Sequence, residues 1–585
     1  MGETPTYNFE TPWTAKIGCE KPPSCLRQKT PTKERWMTAP TKKPLARSFD
    51  CIVIGGGHNG LVTAAYLAKA GKKVCVLEAR HVLGGCAATE TLWPGYRISV
   101  AAYVISLFLP SIIRDLKLKS YGFEVLPRNP SSFTPLLDGR SLLMGPDSRA
   151  TCREIAKFST RDAEQYPQYN ALLERVAAVL EPLLSTTPPS VLPSGVLGRN
   201  IGTLERLRAL SDAYAMSQSA AGLGDDLPEA VELLAGAARP ILERWFESEV
   251  LRATLGTDAI IGAFAPPSHP GTAYVLLHHV MGEAGGARGV WGYVRGGMGG
   301  LADALEGACV DLGVDIRRET PVERILTKHG RIGGVQLASG LVLEAPVVAS
   351  TIDANRTFLK MLGESELPKN FAAAIGRISY ASASCKINVA LSEPPQFTCL
   401  PGSGIGPQHR GTIHIGETLD TMERGYDDAK YGEPSREPIL EITLPSSVDD
   451  TLAPKGHHVM NMFVQYAPYK LSNNRSWDDV KEAFADRCIE LLARYAPNVP
   501  GAIVHRQILS PLDLERTFGL TGGNIMQGAM NPEQLFLFRP TAGWADHRSP
   551  VPGLYLCGAA AHPGGGVMGA AGRNGAQAIL SDIGT

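Results

Sequence analysis

The chain has 585 residues, 44% of them hydrophobic and 20% charged, which excludes a disordered or fibrous protein and leaves material for two or more cores. Its 57 basic and 58 acidic side chains nearly cancel, so there is no electrostatic ground for a nucleic-acid partner. Eleven cysteines show no CxxC pair and no metal-ligand spacing, so reduced thiols are expected and no metal.

No apolar run reaches the roughly 18 residues of a spanning helix, and no transmembrane segment is expected. Residues 1–48 are proline-rich, with nine Lys/Arg against four Glu and no 3.6-residue apolar period. They are read as an N-terminal extension outside the fold, disordered or targeting; Glu3 and Glu10 sit badly with an acid-poor presequence.

The stretch CIVIGGGHNGLVTAAYLAKAGKKVCVLEA, from Cys51, predicts strand, glycine turn, helix, strand. Gly55, Gly57 and Gly60 hold the G-x-G-x-x-G spacing, which gives a tight turn, close backbone approach to a pyrophosphate and close helix packing. The pyrophosphate is expected on the helix N-terminus, with His58 nearby. Glu78, eighteen residues after Gly60, closes the second strand and is expected to accept ribose hydroxyls. In the following EARHVLGGCAAT, Gly84 and Gly85 bring a second backbone segment onto the same phosphates, and Arg80 is assigned with them to the cofactor.

Residues 153–264 read as helices interrupted by STTPPSVLPSG. His278 and His279 in YVLLHHVMG cannot share a helical face, so a metal pair is not expected; core packing is the ordinary reading, a substrate-facing imidazole the alternative. The segment WGYVRGGMGGLADALEGACVDLGVDIRRETPVERI predicts glycine turn, helix and strand. Arg295, before that turn, suits either a cofactor charge or a surface ion pair. A hairpin follows in GRIGGVQLASGLVLEAPVVAST, then strands in CKINVAL, PILEITL and VMNMFVQY and an amphipathic helix over 477–495. The chain ends on a strand, the turn HPGGGVMG and a second helix placed near Gly566, expected to aim its N-terminus at the same ligand. Gly558, Gly565, Gly566 and Val567 are assigned to the cofactor from this region, and His562 is the catalytic candidate, weighed against a turn-stabilising histidine.

From about residue 49 to the end, through GHNGLVTAAYL, RHVLGG, RNPSSFTP, WFESE, AYVLLHHVMG, WGYVRGGMGGLADAL, DLERTFGLTGGNI and AHPGGGVMGAAGRN, the sequence resembles the phytoene desaturase and amine oxidase-like FAD superfamily. The resemblance implies FAD, an α/β fold, the Val322 main chain at the adenine, and a mitochondrial matrix location, with the cytoplasm as alternative. Two departures stand out. Ala559 follows Gly558 where many members carry an acid, and Thr91 occupies the position where a C-x4-C dithiol would need a partner for Cys86.

The expected architecture is a discontinuous Rossmann-like FAD-binding domain (49–122, 291–354 and 546–585) with an inserted α+β substrate domain (123–290 and 355–545). With one G-x-G-x-x-G unit there is no second nucleotide fold for NAD(P)H, so reoxidation is assigned to oxygen, a quinone or another protein. The expected function is an FAD-dependent oxidase or dehydrogenase moving hydride from an unidentified small molecule, apolar in related desaturases, to flavin. The alternatives are an FAD-stabilised mitochondrial protein acting through a protein partner, and a carotenoid-type desaturase.

Overall fold

The computed structural model describes residues 48–189, 221–284 and 287–584, with scattered positions between 207 and 218. The N-terminal extension, Ser48 apart, and most of the proline-rich interruption lie outside the described residues. The elements that position the site are, in chain order, β1 (Cys51–Ile54), α1 (His58–Lys69), β2 (Val74–Leu77), β3 (Ser132–Pro135), β4 (Ser141–Met144), α2 (Glu249–Asp258), α3 (Thr272–Val280), α4 (Gly299–Asp311), β5 (Asp315–Arg317), β6 (Val347–Ser350), β7 (Ser384–Leu391), β8 (Thr412–Ile415), β9 (Ile439–Thr443), β10 (His458–Gln465), α5 (Trp477–Ala493), β11 (Ile503–Leu509), β12 (Leu554–Leu556) and α6 (Ala570–Ile583).

Five strands pair in parallel in the order β5-β2-β1-β6-β12, with Cys51 opposite both Val74 and Val347. A parallel sheet is covered on both faces, which is why CIVI and VCVL are apolar without alternation. Leu61, Ala64 and Ala65 of α1, Leu301 and Leu305 of α4 and Ile579 of α6 fill the core against it.

The last helix closes the fold onto the first. A Cβ on Gly572 would lie 2.3 Å from the Asn59 carbonyl oxygen, so this glycine lets α6 touch the α1 backbone, and one on Gly575 would lie 2.4 Å from Cys557 Sγ, so that glycine lets α6 pack on the chain leaving β12. Thr63 Oγ1 donates to the Gly572 carbonyl at 3.1 Å across that contact. Gly572→Ala is expected to lower unfolding free energy by about 1–3 kcal/mol through overpacking, read by denaturant titration. An unchanged midpoint would mean the two helices separate at no cost.

The second helix begins later than its sequence suggests. It starts at Ala570 rather than near Gly566, because Gly564, Gly566, Val567 and Gly569 have φ of 115, 120, 56 and 70°, and no right-handed helix accommodates positive φ.

The other large sheet has the order β11-β7-β10-β9-β8-β3-β4. Its strands alternate strictly in register: Lys386 faces Phe463, Phe463 faces Glu441, and Glu441 faces His414. One face, with Cys385, Ile387, Leu440, Ile442, Met462 and Val464, packs on Trp477, Phe484 and Cys488 of α5. The opposite face carries Lys386, Asn388, His414, Glu441, Asn461 and Gln465, and none of these is more than 8% exposed. Half-covered sheets normally turn such a face to water. Here it is buried.

Candidate active site

The first glycine turn is held by Glu78. Gly56 N donates to Glu78 Oε2 at 2.7 Å and Arg80 N to Oε1 at 2.8 Å, so the carboxylate that ends β2 also fixes the turn that ends β1. Gly55, at φ 97°, makes the bend, and a Cβ on Gly60 would sit 2.0 Å from the Gly55 carbonyl oxygen. Gly84 N donates to Gly56 O at 2.9 Å, which lays the second glycine pair, at φ 104 and 57°, against the first turn. Thr320 N donates to Glu78 O at 2.8 Å and Glu319 N to Arg80 O at 3.1 Å, bringing the chain leading into Val322 to the same strand end.

Three observations test whether FAD fits. A Cβ on Gly57 would make only ordinary van der Waals contact, at 3.8 Å and beyond, with the backbone of Gly84 and Gly85, so the protein would accept it without moving. The N-terminus of α1 has no side-chain cap and no acid in its first turn, which leaves N–H groups and positive potential for a phosphate. Arg80 Nη1 is buried and has no hydrogen-bond partner among the described residues, while Nη2 donates to Glu90 Oε1 at 2.6 Å. All three suit a bound dinucleotide. Burial pulls half-buried His58, the first residue of α1, down to about 4, so it is neutral there.

The glycine turn before α4 is not a second such site. Met298 N and Gly299 N donate to Ser99 Oγ and Thr89 Oγ1 at 3.0 and 2.8 Å, and Arg295 lies at the surface, 3.3 Å from Asp450 and 3.8 Å from Glu124. Of its two readings, the surface ion pair is the one realised.

The C-terminal turn is shaped by the protein around it. A Cβ on Gly558 would lie 2.2 Å from the Thr351 carbonyl oxygen, so the chain leaving β6 demands this glycine. Arg539, 2% exposed, donates through all three guanidinium nitrogens to the carbonyls of Ala559, Ala529, Gln534, Met526 and Gly528, clamping residues 526–539 over the turn. Gly565 packs on Met526, and Gly566 on Leu107 and His278. The N-terminus of α6 also lacks a side-chain cap and, through Gly572 and Asn59, lies beside that of α1.

His562 is 1% exposed and its Nε2 donates to the Leu183 carbonyl at 2.9 Å; burial lowers its pKa to about 3. The neutral ring therefore pins the turn to the helix Thr160–Leu184. His278 and His279 diverge as adjacent helical residues must. His278 is lowered to about 3 by burial and faces the Gly566 turn, whereas His279 stacks on Trp291 at 5.4 Å and donates through Nδ1 to Val275 O.

Residues 102–109 connect the glycine turns: Ala102 N donates to Cys86 O at 2.8 Å and Leu109 N to Met568 O at 3.1 Å. Tyr103, near the start of this segment, lies over the buried sheet face. Its hydroxyl donates to Glu441 Oε1 at 2.7 Å and its ring centroid is 4.7 Å from Lys386 Nζ. Lys386 Nζ donates to Asn388 Oδ1 and Asn461 Oδ1, both at 2.9 Å, and burial lowers its pKa well below the ordinary lysine value. Burial, reinforced by the Asp258 charge, raises Glu441, and burial raises Asp258 to about 7 against the opposing Arg128.

None of Tyr103, Lys386, Glu441, Asp258 or Arg128 was singled out by the sequence. For Lys386 and Glu441 the available signal was the polar residue at alternate places in SCKIN and in LEIT, which by itself reads as a solvent face; Tyr103, Asp258 and Arg128 had none.

A parallel dinucleotide-binding sheet approached twice, by the first glycine turns and by the last, defines a FAD-binding oxidoreductase. Residues 60–580 match the sequence model for flavin containing amine oxidoreductases, and the chain belongs to that family. Pyridine nucleotide-disulfide oxidoreductase domain-containing protein 2 of Rattus norvegicus is 43% identical over 92% of this chain and 94% of its own length. The lycopene-forming phytoene desaturase of Pseudescherichia vulneris is 26% identical over 91% and 99%. The solved cyclohexylamine oxidase from Brevibacterium oxydans shares the fold with a TM-score of 0.54, at 18% identity over 92% of this chain and 99% of that one.

Proposed function

We propose that the chain is an FAD-dependent oxidase or dehydrogenase acting on a small molecule held between the C-terminal glycine turn and the buried polar sheet face. The observation that carries this reading is that face itself. A flavin retained only for structure needs no buried lysine and buried carboxyl lying beneath Tyr103 of the segment that joins the two turns.

Bound FAD supplies the hydride-accepting chemistry. The glycine turns, Glu78, Arg80 and the strand edge at Val322 hold and orient it, and the N-termini of α1 and α6 favour negative charge. The Lys386 amine, held by two asparagine carbonyls and with its pKa lowered by burial, is placed to accept a proton released by substrate at Nζ. Tyr103, Trp291 and Phe463 exclude water. Reoxidation by oxygen, a quinone or a protein partner, and a mitochondrial matrix setting, belong to the same proposal.

The purified protein is expected to show flavin absorption that bleaches on anaerobic reduction. Return of the bands within seconds of readmitting oxygen marks an oxidase, and slow return a dehydrogenase with another acceptor. Absence of flavin after reconstitution with FAD overturns the proposal.

A further inference from the structure

Arg539 carries a full charge into the interior and meets no opposite one. It is 2% exposed, and burial lowers its pKa only to about 10, so it stays cationic at neutral pH. All its hydrogen bonds go to main-chain carbonyls, those of Met526, Gly528, Ala529, Gln534 and Ala559, and among the described residues it forms no ion pair. The titratable side chains that feel its charge are Tyr274, Tyr380, His278 and His562. Burial raises both phenols and lowers both imidazoles to about 3, so all four are neutral. Asp353, beyond Tyr380, is spent on Arg356 N, Thr521 N and the Thr521 hydroxyl.

The position of this charge is specific. Arg539 Nε donates to Ala559 O at 2.8 Å, and a Cβ on Gly564 would lie 3.5 Å from the same nitrogen, so the guanidinium lies against both limbs of the C-terminal turn. Clamping residues 526–539 there needs N–H donors, which a neutral amide also has, whereas burying a cation costs several kcal/mol in the general case. The fold keeps the charge as well as the donors. The uncapped N-terminus of α6, at the end of the same turn, adds potential of the same sign. A hydride brings two electrons and one proton, so a neutral isoalloxazine that receives it ends with one negative charge. The reduced ring answers the guanidinium, and the oxidised ring does not.

We propose that Arg539 sets the reduction potential of bound FAD, its unpaired charge against the C-terminal turn stabilising the anion that hydride transfer creates. This rests on the oxidoreductase reading above and deepens it by naming the residue that makes the flavin a better hydride acceptor. Arg539 acts through the turn and by its field; it is a positioning residue, and no bond or proton is assigned to it.

The test reconstitutes the full-length protein with FAD and measures its potential anaerobically against reference dyes. The parent is compared with Arg539→Gln, which keeps N–H donors without charge, and with Arg539→Lys, which keeps the charge on a different set of donors. Arg539→Gln is expected to favour the reduced flavin at least about 10-fold less than the parent does, a fall of about 30 mV for a two-electron couple, and Arg539→Lys to stay within about 3-fold of the parent. Equal potentials in Arg539→Gln and the parent, or an equal fall in both variants, overturn the proposal. If neither variant holds FAD, the parent's potential between about pH 5.5 and 6.5 decides it, measured beside free FAD, which takes up two protons with two electrons in that range. A slope of about 30 mV per pH unit, half that of free FAD, marks a reduced ring kept anionic, and the full slope overturns the proposal. A parent that binds no FAD overturns the oxidoreductase reading, whereas bound, reducible FAD whose potential ignores residue 539 sinks this inference alone.

Discussion

Gly57→Ala is expected to give a folded protein that has lost most of its affinity for FAD. The added methyl meets no protein atom closer than 3.8 Å, so folding has nothing to object to, yet it enters the space through which a pyrophosphate reaches the α1 N-terminus. An overpacking cost of about 1–3 kcal/mol corresponds to roughly 10- to 100-fold in Kd. Gly60→Ala, three residues on, is expected to behave differently. Its methyl would lie 2.0 Å from the Gly55 carbonyl oxygen, so the helix must move off the turn and stability and cofactor fall together. Equilibrium dialysis of FAD beside denaturant titration separates the two outcomes. A Gly57→Ala protein with unaltered FAD affinity would remove this turn from the cofactor site.

Lys386→Met is expected to keep FAD and to lose catalysis. The amine lies on the sheet face, remote in sequence from the glycine turns, and methionine matches its length without its basicity. Removing a buried amine relieves its desolvation, but it strips Asn388 Oδ1 and Asn461 Oδ1 of a donor. Asn388 cannot turn over to compensate, because its Nδ2 already donates to Val100 O and Gln507 Oε1. The net stability loss is therefore held to about 1–3 kcal/mol, the cost of an unsatisfied buried acceptor. The rate of anaerobic flavin reduction by substrate is expected to fall by about 10²- to 10⁴-fold, the usual contribution of a positioned proton acceptor, with KM little changed. A reduction rate equal to that of the parent would leave Lys386 as a structural amine only.

The contrast between these two variants follows how each part of the site is encoded. Cys51 to Glu78 is one continuous strand, turn, helix and strand whose glycine spacing and apolar runs are local properties, so both the unit and its ligand class were legible. The C-terminal turn was legible as a turn, again because glycine density is local. Its details were not. The late start of α6 depends on positive φ at Val567 as well as at glycines, and the need for glycine at 558 comes from Thr351, just past the end of β6 and some two hundred residues away in sequence.

By itself the sequence determined the dinucleotide cradle, because it is written within about thirty contiguous residues as spacing and periodicity. Only the tertiary structure decided that a face reading as solvent-exposed is buried, that Tyr103 meets Glu441 across 338 positions of chain, and that His562 spends its Nε2 on Leu183, 379 positions away. The physical reason is that alternation tells which residues share a face of a strand, whereas whether water or protein covers that face depends on what the rest of the chain brings to it.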